Sequence, residues 1–352
     1  MQVTLNARFR SRPVTGVERF ASEVSHHLAR AENIDFHEIQ PDRPISGLKG
    51  HGWEQLSLPR KLGKNSILFS PCNTGSLSVP RQLVVVHDAA VWDLPEGFSR
   101  SFRILYRKLL PALARKAAAI ATVSEFSRDR LAEKLRLPAE KITVLGNAAG
   151  PEFSPDDSRS NPDNPPTLLC VGSIDPRKNT TRLIEAWIAA GKQGALPEGA
   201  RLNIIGSARP STFGPVEMTE APGIHWLGRV SDEELITHYQ SATGFIFPSL
   251  YEGFGLPPLE AMACGCPVLL SREASLPEVG GDAFDLRDPE SKGAALYFDP
   301  RNTKEICAAM VTLLNLDAPT RNRLRFNALN RSSSFSWQNV AERTQNLLET
   351  LS

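Results

Sequence analysis

Two glutamates, Glu252 and Glu260, flank a glycine-rich turn in the run Tyr251-Glu252-Gly253-Phe254-Gly255-Leu256-Pro257-Pro258-Leu259-Glu260. Gly253 and Gly255 let the backbone approach a ligand closely and adopt conformations that a side chain forbids. Pro257 or Pro258 suits the first turn of a helix, where an N–H has no intrahelical partner. A helix starting there is expected to present N–H groups and a partial positive charge to an anion such as phosphate. Glu252, just before the turn, can accept hydrogen bonds from sugar hydroxyls. Glu260, in the first turns of the helix, can chelate a vicinal diol such as a ribose. The ligand that fits this set is phosphorylated and rich in hydroxyls.

The elements that must position these residues are legible on either side. Gly244-Phe245-Ile246-Phe247 before the turn and Pro267-Val268-Leu269-Leu270 after it read as buried strands. Strand, tight loop, short helix and strand make a unit of an open α/β sheet, and such sheets bind ligands at the carboxyl ends of their strands. The same alternation runs through the chain. Strands are expected at 3–6, 35–39, 67–69, 83–87, 120–123 and 142–145, with helices near 17–31, 102–116 and 125–135. The tract from Pro151 to Pro166, rich in Pro, Asp, Ser and Asn, breaks the pattern. It restarts with strands at 167–172, 202–206, 224–227, 245–247 and 268–270 and helices at 180–190 and 232–241. Ser231 and Glu234 fit a capping box for the last of these, and the chain after Thr303 reads as mainly helical.

The stretch from Glu252 to Glu260 resembles the E-x7-E signature of retaining, nucleotide-sugar-dependent glycosyltransferases of the GT-B fold, in particular the large family 4 group. The resemblance spans nearly the whole chain and is strongest from Thr167 to Pro300. It implies an α/β fold of two doubly wound Rossmann-like domains facing across a cleft. Residues 1–153 would form the acceptor side, 154–166 a linker, 167–335 the donor side, and 336–352 a terminal helix packing back onto the first domain. It assigns Glu252 to the transferred sugar, Glu260 to the ribose, and Gly253, Phe254, Gly255 and Leu256 to the donor. Gly16, opening the first helix, would let the donor diphosphate approach. His87, at the end of Val84-Val85-Val86-His87-Asp88, resembles the histidine that contacts the transferred sugar, where a neutral imidazole could donate to a hydroxyl or stabilise developing charge. Arg177 and Lys178, in Gly172-Ser173-Ile174-Asp175-Pro176-Arg177-Lys178-Asn179, would neutralise the diphosphate. Ser173 stands where many members carry an arginine. Backbone groups around Val230 would read the nucleobase.

The reaction so implied moves a sugar from a nucleotide diphosphosugar to an acceptor with retention, the leaving phosphate helping to deprotonate the acceptor. Relatives by pattern are bacterial mannosyltransferases of surface-polysaccharide synthesis, so GDP-mannose is the first donor expected, with a lipid-linked or growing oligosaccharide as acceptor. No cofactor and no metal is expected, because cations and helix N-termini take the role of a divalent ion in this group. A nucleotide-sugar epimerase of the same fold and a non-catalytic, transferase-like partner subunit are the alternatives.

Composition bounds these readings. The 352 residues, 41% hydrophobic and 22% charged, suit two ordinary cores. Net charge is +1, yet residues 1–150 carry 22 Lys/Arg against 14 Asp/Glu, and the remainder 18 against 25. A basic first half fits an anionic lipid surface or lipid diphosphate. Arg100, Arg103, Arg107, Lys108, Arg115 and Lys116 decorate a segment that reads equally as a basic amphipathic helix or as an ordinary solvated face. Nucleic acid is not expected, since no aromatic-basic motif accompanies the charge. No G-x-G-x-x-G follows the first strand, which counts against a nicotinamide-dependent dehydrogenase. Five scattered cysteines, without a membrane span or secretory signal, are expected to be reduced core residues of a cytoplasmic protein, peripheral on the inner membrane face at most. Residues 284–294 are expected to form a polar surface insertion.

Overall fold

The computed structural model describes residues 1–11, 14–156, 158, 165–172, 175–206 and 221–352. Most of the tract expected to be a linker, 154–166, lies outside the described residues, as do Ser173 and Ile174. The chain divides into two compact units, Met1–Ala148 with Ser336–Ser352, and Ala149–Phe335.

The first unit is built on six parallel strands: β1 (Gln2–Asn6), β2 (Asp35–Ile39), β3 (Ile67–Ser70), β4 (Gln82–Val85), β5 (Ala119–Thr122) and β6 (Ile142–Val144), in the order β2-β1-β3-β4-β5-β6. The central strands β3 and β4 are buried throughout, as strands covered on both faces must be. Val84, Val86, Ile120 and Ile142 pack against Leu109, Leu110 and Leu113 of the helix Arg100–Lys116 and Leu131 and Leu135 of the helix Glu125–Leu135. The helix Trp337–Glu349 also belongs to this unit. Its Trp337 ring meets Phe20 of the helix Gly16–Leu28 at 6.2 Å, and Asn33 donates to Glu349 Oε1 at 2.9 Å.

The second unit repeats the plan with β7 (Thr167–Val171), β8 (Arg201–Ile205), β9 (Ile224–Gly228), β10 (Gly244–Phe247), β11 (Val268–Ser271) and β12 (Leu296–Phe298), ordered β12-β11-β10-β7-β8-β9 and again parallel. Leu168, Leu202, Ile246, Leu269 and Phe298 form its core with Leu183 and Trp187 of the helix Thr180–Lys192 and Met310 and Leu313 of the helix Thr303–Leu314. Phe153 joins this unit, meeting Tyr239 at 6.3 Å.

Both sheets reverse direction once. Successive strands step outward from β1 to β2 and then cross to β3 on the other side; β7, β8 and β9 step one way, and β10 starts the other half beside β7. Reversal opens a crevice at the carboxyl ends of the two strands concerned, where doubly wound sheets bind ligands.

The stretch 284–294 departs from the expectation of a polar insertion. Phe284 and Ala294 are each 4% exposed, and Ala283 bridges Ala295. Only 285–290 is fully exposed as a run, because Phe284 anchors the start of the loop in the core.

Candidate functional site

In the second unit the crevice lies between β7 and β10, and one residue following each strand meets its counterpart across it. Lys178 donates from Nζ to Glu252 Oε1 at 2.7 Å, with both side chains partly exposed. The ammonium also lies 4.9 Å from the centre of the Phe247 ring, a cation–π contact from the end of β10. Gly172 lies on the other side, where a Cβ would make ordinary contact with Lys178 Cγ at 3.4 Å.

Asn179 holds this arrangement together. Its backbone is left-handed, with φ of 56°, and its Nδ2 donates to the carbonyls of Pro248 at 3.1 Å and Pro300 at 2.8 Å. Loops that follow β7, β10 and β12 are thereby joined at one buried carboxamide. A further backbone bond, Leu250 N to Arg177 O at 2.7 Å, ties the first two. Arg177 is turned to a different task from the one expected. Its guanidinium reaches Asp175 at 2.7 Å through Nη2 and about as closely through Nε. Burial raises the Asp175 pKa, but the Arg177 hydrogen bond and charge outweigh it and hold the carboxyl below its usual range. The pair engages Nε and Nη2 and orients the guanidinium from one side.

The glycine-rich turn leads into the helix Leu256–Ala263 as expected, with Gly255 as its N-cap at φ of 112°. A Cβ on Gly255 would also fall 2.9 Å from Leu276 Cδ2. Gly253 is not among the glycines with positive φ, so its value lies in being small. Ser275, fully buried, donates to the carbonyls of Glu252 at 3.0 Å and Phe254 at 2.7 Å and fixes the curve of the turn. The helix start differs from the expectation in one chemical respect. Pro257 and Pro258 both fall in its first turn and carry no N–H. Leu259 N already bonds Gly255 O. The helix start therefore presents fewer backbone N–H groups than one without proline in its first turn.

Glu260 is 5% exposed, and the hydroxyl of fully buried Tyr239 donates to its Oε2 at 3.3 Å. Burial, followed by the nearby Glu260 charge, pushes the Tyr239 hydroxyl well above its ordinary pKa, so it stays a donor. Tyr239 sits on the helix Asp232–Ser241, whose capping box is closed by Ser231 and Glu234: Glu234 N donates to Ser231 Oγ at 3.2 Å and Ser231 N to Glu234 Oε2 at 2.8 Å. Half-buried Val230 lies just ahead of that cap, after Gly228 at φ of 71°.

Gly16 and His87 belong to the first unit. Gly16 opens the helix Gly16–Leu28 and is exposed, but Glu18 of the same helix already accepts from Thr15 N at 3.2 Å and brings its own negative charge to that terminus. Phe20, one turn on, meets the His87 ring edge-on at 5.0 Å. His87 Nε2 lies 2.8 Å from the carbonyl of Pro71. A carbonyl only accepts, so Nε2 carries the proton. Burial lowers the pKa of His87. The neutral ring therefore offers Nδ1 as an acceptor; of the two roles expected for it, donating to a sugar hydroxyl or stabilising developing charge, Nε2 is not available for the first.

Sequence reasoning missed Asn179, Ser275, Tyr239 and Phe247 as site-building residues. A signal existed only for Asn179, which stands directly before a helix as caps do. Among the described residues no group of His, Cys, Asp and Glu is placed to hold a metal ion, and no helix is long and apolar enough to cross a membrane. All five cysteines are free thiols; burial pushes Cys170 and Cys264 up to about 12.

Comparison with known proteins identifies the family and the fold. The family described as "Glycosyl transferases group 1" matches residues 154–331. O-antigen chain mannosyltransferase B of Escherichia coli is 32% identical over 96% of this chain and 97% of its own length. Serotype-specific mannosyltransferase WbdA of the same organism is 32% identical over 68% of this chain, which spans 30% of that protein. A solved structure of Anabaena HepE in complex with UDP and glucose shares the fold with a TM-score of 0.71, at 14% identity, covering 99% of this chain and all of its own. The chain belongs to the glycosyl transferases group 1 family and is a glycosyltransferase with two doubly wound α/β units.

Proposed function

We propose that this family member transfers a mannosyl unit from GDP-mannose, with retention of configuration, to a lipid-linked or growing oligosaccharide in surface-polysaccharide synthesis. The observation that carries the reading is the Lys178–Glu252 pair at the β7/β10 crevice. It sets one cation and one carboxylate side by side where a sugar phosphate has its negative and its hydroxyl-bearing ends. Mannose as the sugar, and O-antigen as the product class, rest on the names of the relatives.

In this reading the diphosphate takes Lys178 away from Glu252, and the freed carboxylate accepts from hydroxyls of the transferred sugar. The backbone of Gly253, Phe254, Gly255 and Leu256 donates to phosphate, and Arg177, oriented by Asp175, adds its positive charge. Glu260 chelates the ribose and the backbone at Val230 reads the base. Gly16 and His87 serve from the first unit, His87 as an acceptor at Nδ1. Charge on the leaving diphosphate is met by Lys178 and backbone dipoles, without a metal ion.

Peripheral attachment to an anionic membrane from the cytoplasmic side belongs to the same proposal. The helix Arg100–Lys116 borders a hollow of about 520 Å³ lined by Leu77, Ile104, Leu105 and Lys108. Arg107 is exposed and keeps its charge, while its Nε and Nη2 donate to the carbonyl of Val91 at 3.2 and 3.0 Å. Arg103 and Lys108 are the residues to replace in a liposome-binding assay.

The test is calorimetric titration with GDP-, UDP-, dTDP- and ADP-sugars, followed by analysis of the anomeric product. Selective binding of GDP-mannose and an α-linked product from the α-linked donor are expected, undiminished by chelator. Binding of another nucleotide sugar alone overturns the donor, and an inverted product overturns the mechanism.

A further inference from the structure

The geometry points to Tyr239 as a positioning residue for nucleotide recognition, fixing the carboxylate of Glu260 from a helix that also carries the base-reading loop. This inference rests on the ribose role proposed above for Glu260.

Tyr239 is fully buried, and its ring is held edge-on by Phe245 at 5.5 Å and by Phe153 at 6.3 Å. Such packing leaves one orientation for the hydroxyl, and in that orientation it donates to Glu260 Oε2. That hydroxyl donor holds Glu260 Oε2 and so restricts the orientation of the whole carboxylate. At 3.3 Å the bond is longer than the roughly 2.5–3.0 Å of most O–H···O contacts. That slack is what a bound diol would take up, as site hydrogen bonds often tighten on binding.

The helix Asp232–Ser241 makes the contact more than a local prop. Its start is locked by the reciprocal Ser231–Glu234 cap, directly after the loop at Val230. From that cap to Tyr239 is about 12 Å along the axis at 1.5 Å per residue. The loop at Val230 and the Tyr239 ring that holds Glu260 are thus carried by one capped helix. The substrate class recognised by the pair is a ribonucleoside diphosphate, with the ribose hydroxyls as the feature read.

The test uses Tyr239→Phe, which removes one oxygen and keeps the ring. Affinities of the intact protein for GDP and UDP, and for their 2′,3′-dideoxy counterparts, are measured by calorimetry beside Glu260→Ala. For the ribonucleotide that the wild type binds, Tyr239→Phe is expected to weaken binding about five- to tenfold, and to have no effect on the dideoxy form. Donor KM should rise by more than kcat falls. In the double variant the two losses should not add. Weakening by Glu260→Ala but not by Tyr239→Phe leaves the ribose reading in place and overturns the role of Tyr239. Equal weakening of ribo and dideoxy forms by Tyr239→Phe reduces it to packing and overturns the inference. Wild-type affinity in Glu260→Ala removes the ribose reading and the inference with it.

Discussion

The two sheets reverse at equivalent places and treat the resulting crevice in opposite ways. Between β7 and β10 the crevice holds Lys178 and Glu252, paired but partly open to solvent. Between β1 and β3 it is plugged. The carboxylate of Glu54, 1% exposed, accepts from Asn6 Nδ2 at 2.9 Å and from Thr74 Oγ1 at 3.0 Å, and pairs with Arg8 Nε at 3.3 Å. Arg8, itself buried, completes the ring by donating to Thr74 at 3.1 Å. Gly50 makes that packing possible, since a Cβ there would fall 2.4 Å from Arg8 Nη1. The same pair of charge types therefore does two jobs. Buried and bonded to Asn6 and Thr74 as well, the Glu54–Arg8 pair fills its crevice; partly exposed, the Lys178–Glu252 pair leaves its own open to solvent. Topology supplies the place, and burial decides between structure and function.

That contrast is open to attack by substitution, and the largest effect is expected at the plug. Glu54→Ala leaves Arg8 buried without its carboxylate and should cost about 3–5 kcal/mol of stability. Replacing both, as in Arg8→Met with Glu54→Leu, should cost less than Glu54→Ala alone. Urea unfolding reads this, while nucleotide affinity of the folded fraction should stay at the wild-type value. Lost affinity at unchanged stability would make the first crevice a ligand site too, and the contrast would fail.

Glu252→Gln should behave in the reverse sense. Turnover falls roughly 100-fold, in the range for losing one aligned polar group from a transfer site. Stability moves by less than about 1 kcal/mol, because a partly exposed pair contributes little. A variant that melts early with normal turnover would show that the second pair is structural as well. Gly255→Ala comes next, at about 1–3 kcal/mol for strain at positive φ. Thermal melting should show that cost, and donor affinity should drop with it, whereas Gly253→Ala should leave melting nearly unchanged.

The smallest effect concerns acid. His87 binds its proton more weakly folded than unfolded, because burial opposes the charge. Its contribution to stability is complete above the unfolded value of about 6.5 and is lost as pH falls from there toward the lower folded pKa. The slope is at most about 1.4 kcal/mol per pH unit. His87→Asn should flatten that limb of the stability curve, and an unchanged limb would mean that the ring charges freely when folded.

The comparison also explains what the sequence made legible. Strands of a doubly covered parallel sheet are continuous apolar runs, so β3, β10 and β11 stand out. The three-residue β12 and the helix Gly47–Leu56 do not. That helix carries Gly47, Gly50 and Gly52 and buries only Gly50 and Glu54, so no apolar stripe announces it. For the same reason Glu54 looks like one more surface glutamate. In the second unit Glu252 and Lys178 were each readable from their own loops, but their meeting joins residues 74 apart and follows only from strand order. Proline chemistry at the start of the helix Leu256–Ala263 was visible in the sequence, yet its effect on the number of N–H donors emerges only once both prolines are placed in the first turn.

Asn179 has a consequence for engineering this enzyme. Its carboxamide ties the loops after β7, β10 and β12 through main-chain carbonyls, so a segment exchanged there has to keep the backbone path at Pro248 and Pro300. The stretch Gly228 to Val230 lies outside that staple, ahead of an independently capped helix. If the backbone at Val230 reads the base as proposed, a transplant confined to those residues is expected to change nucleotide preference, which calorimetric titration before and after the exchange measures.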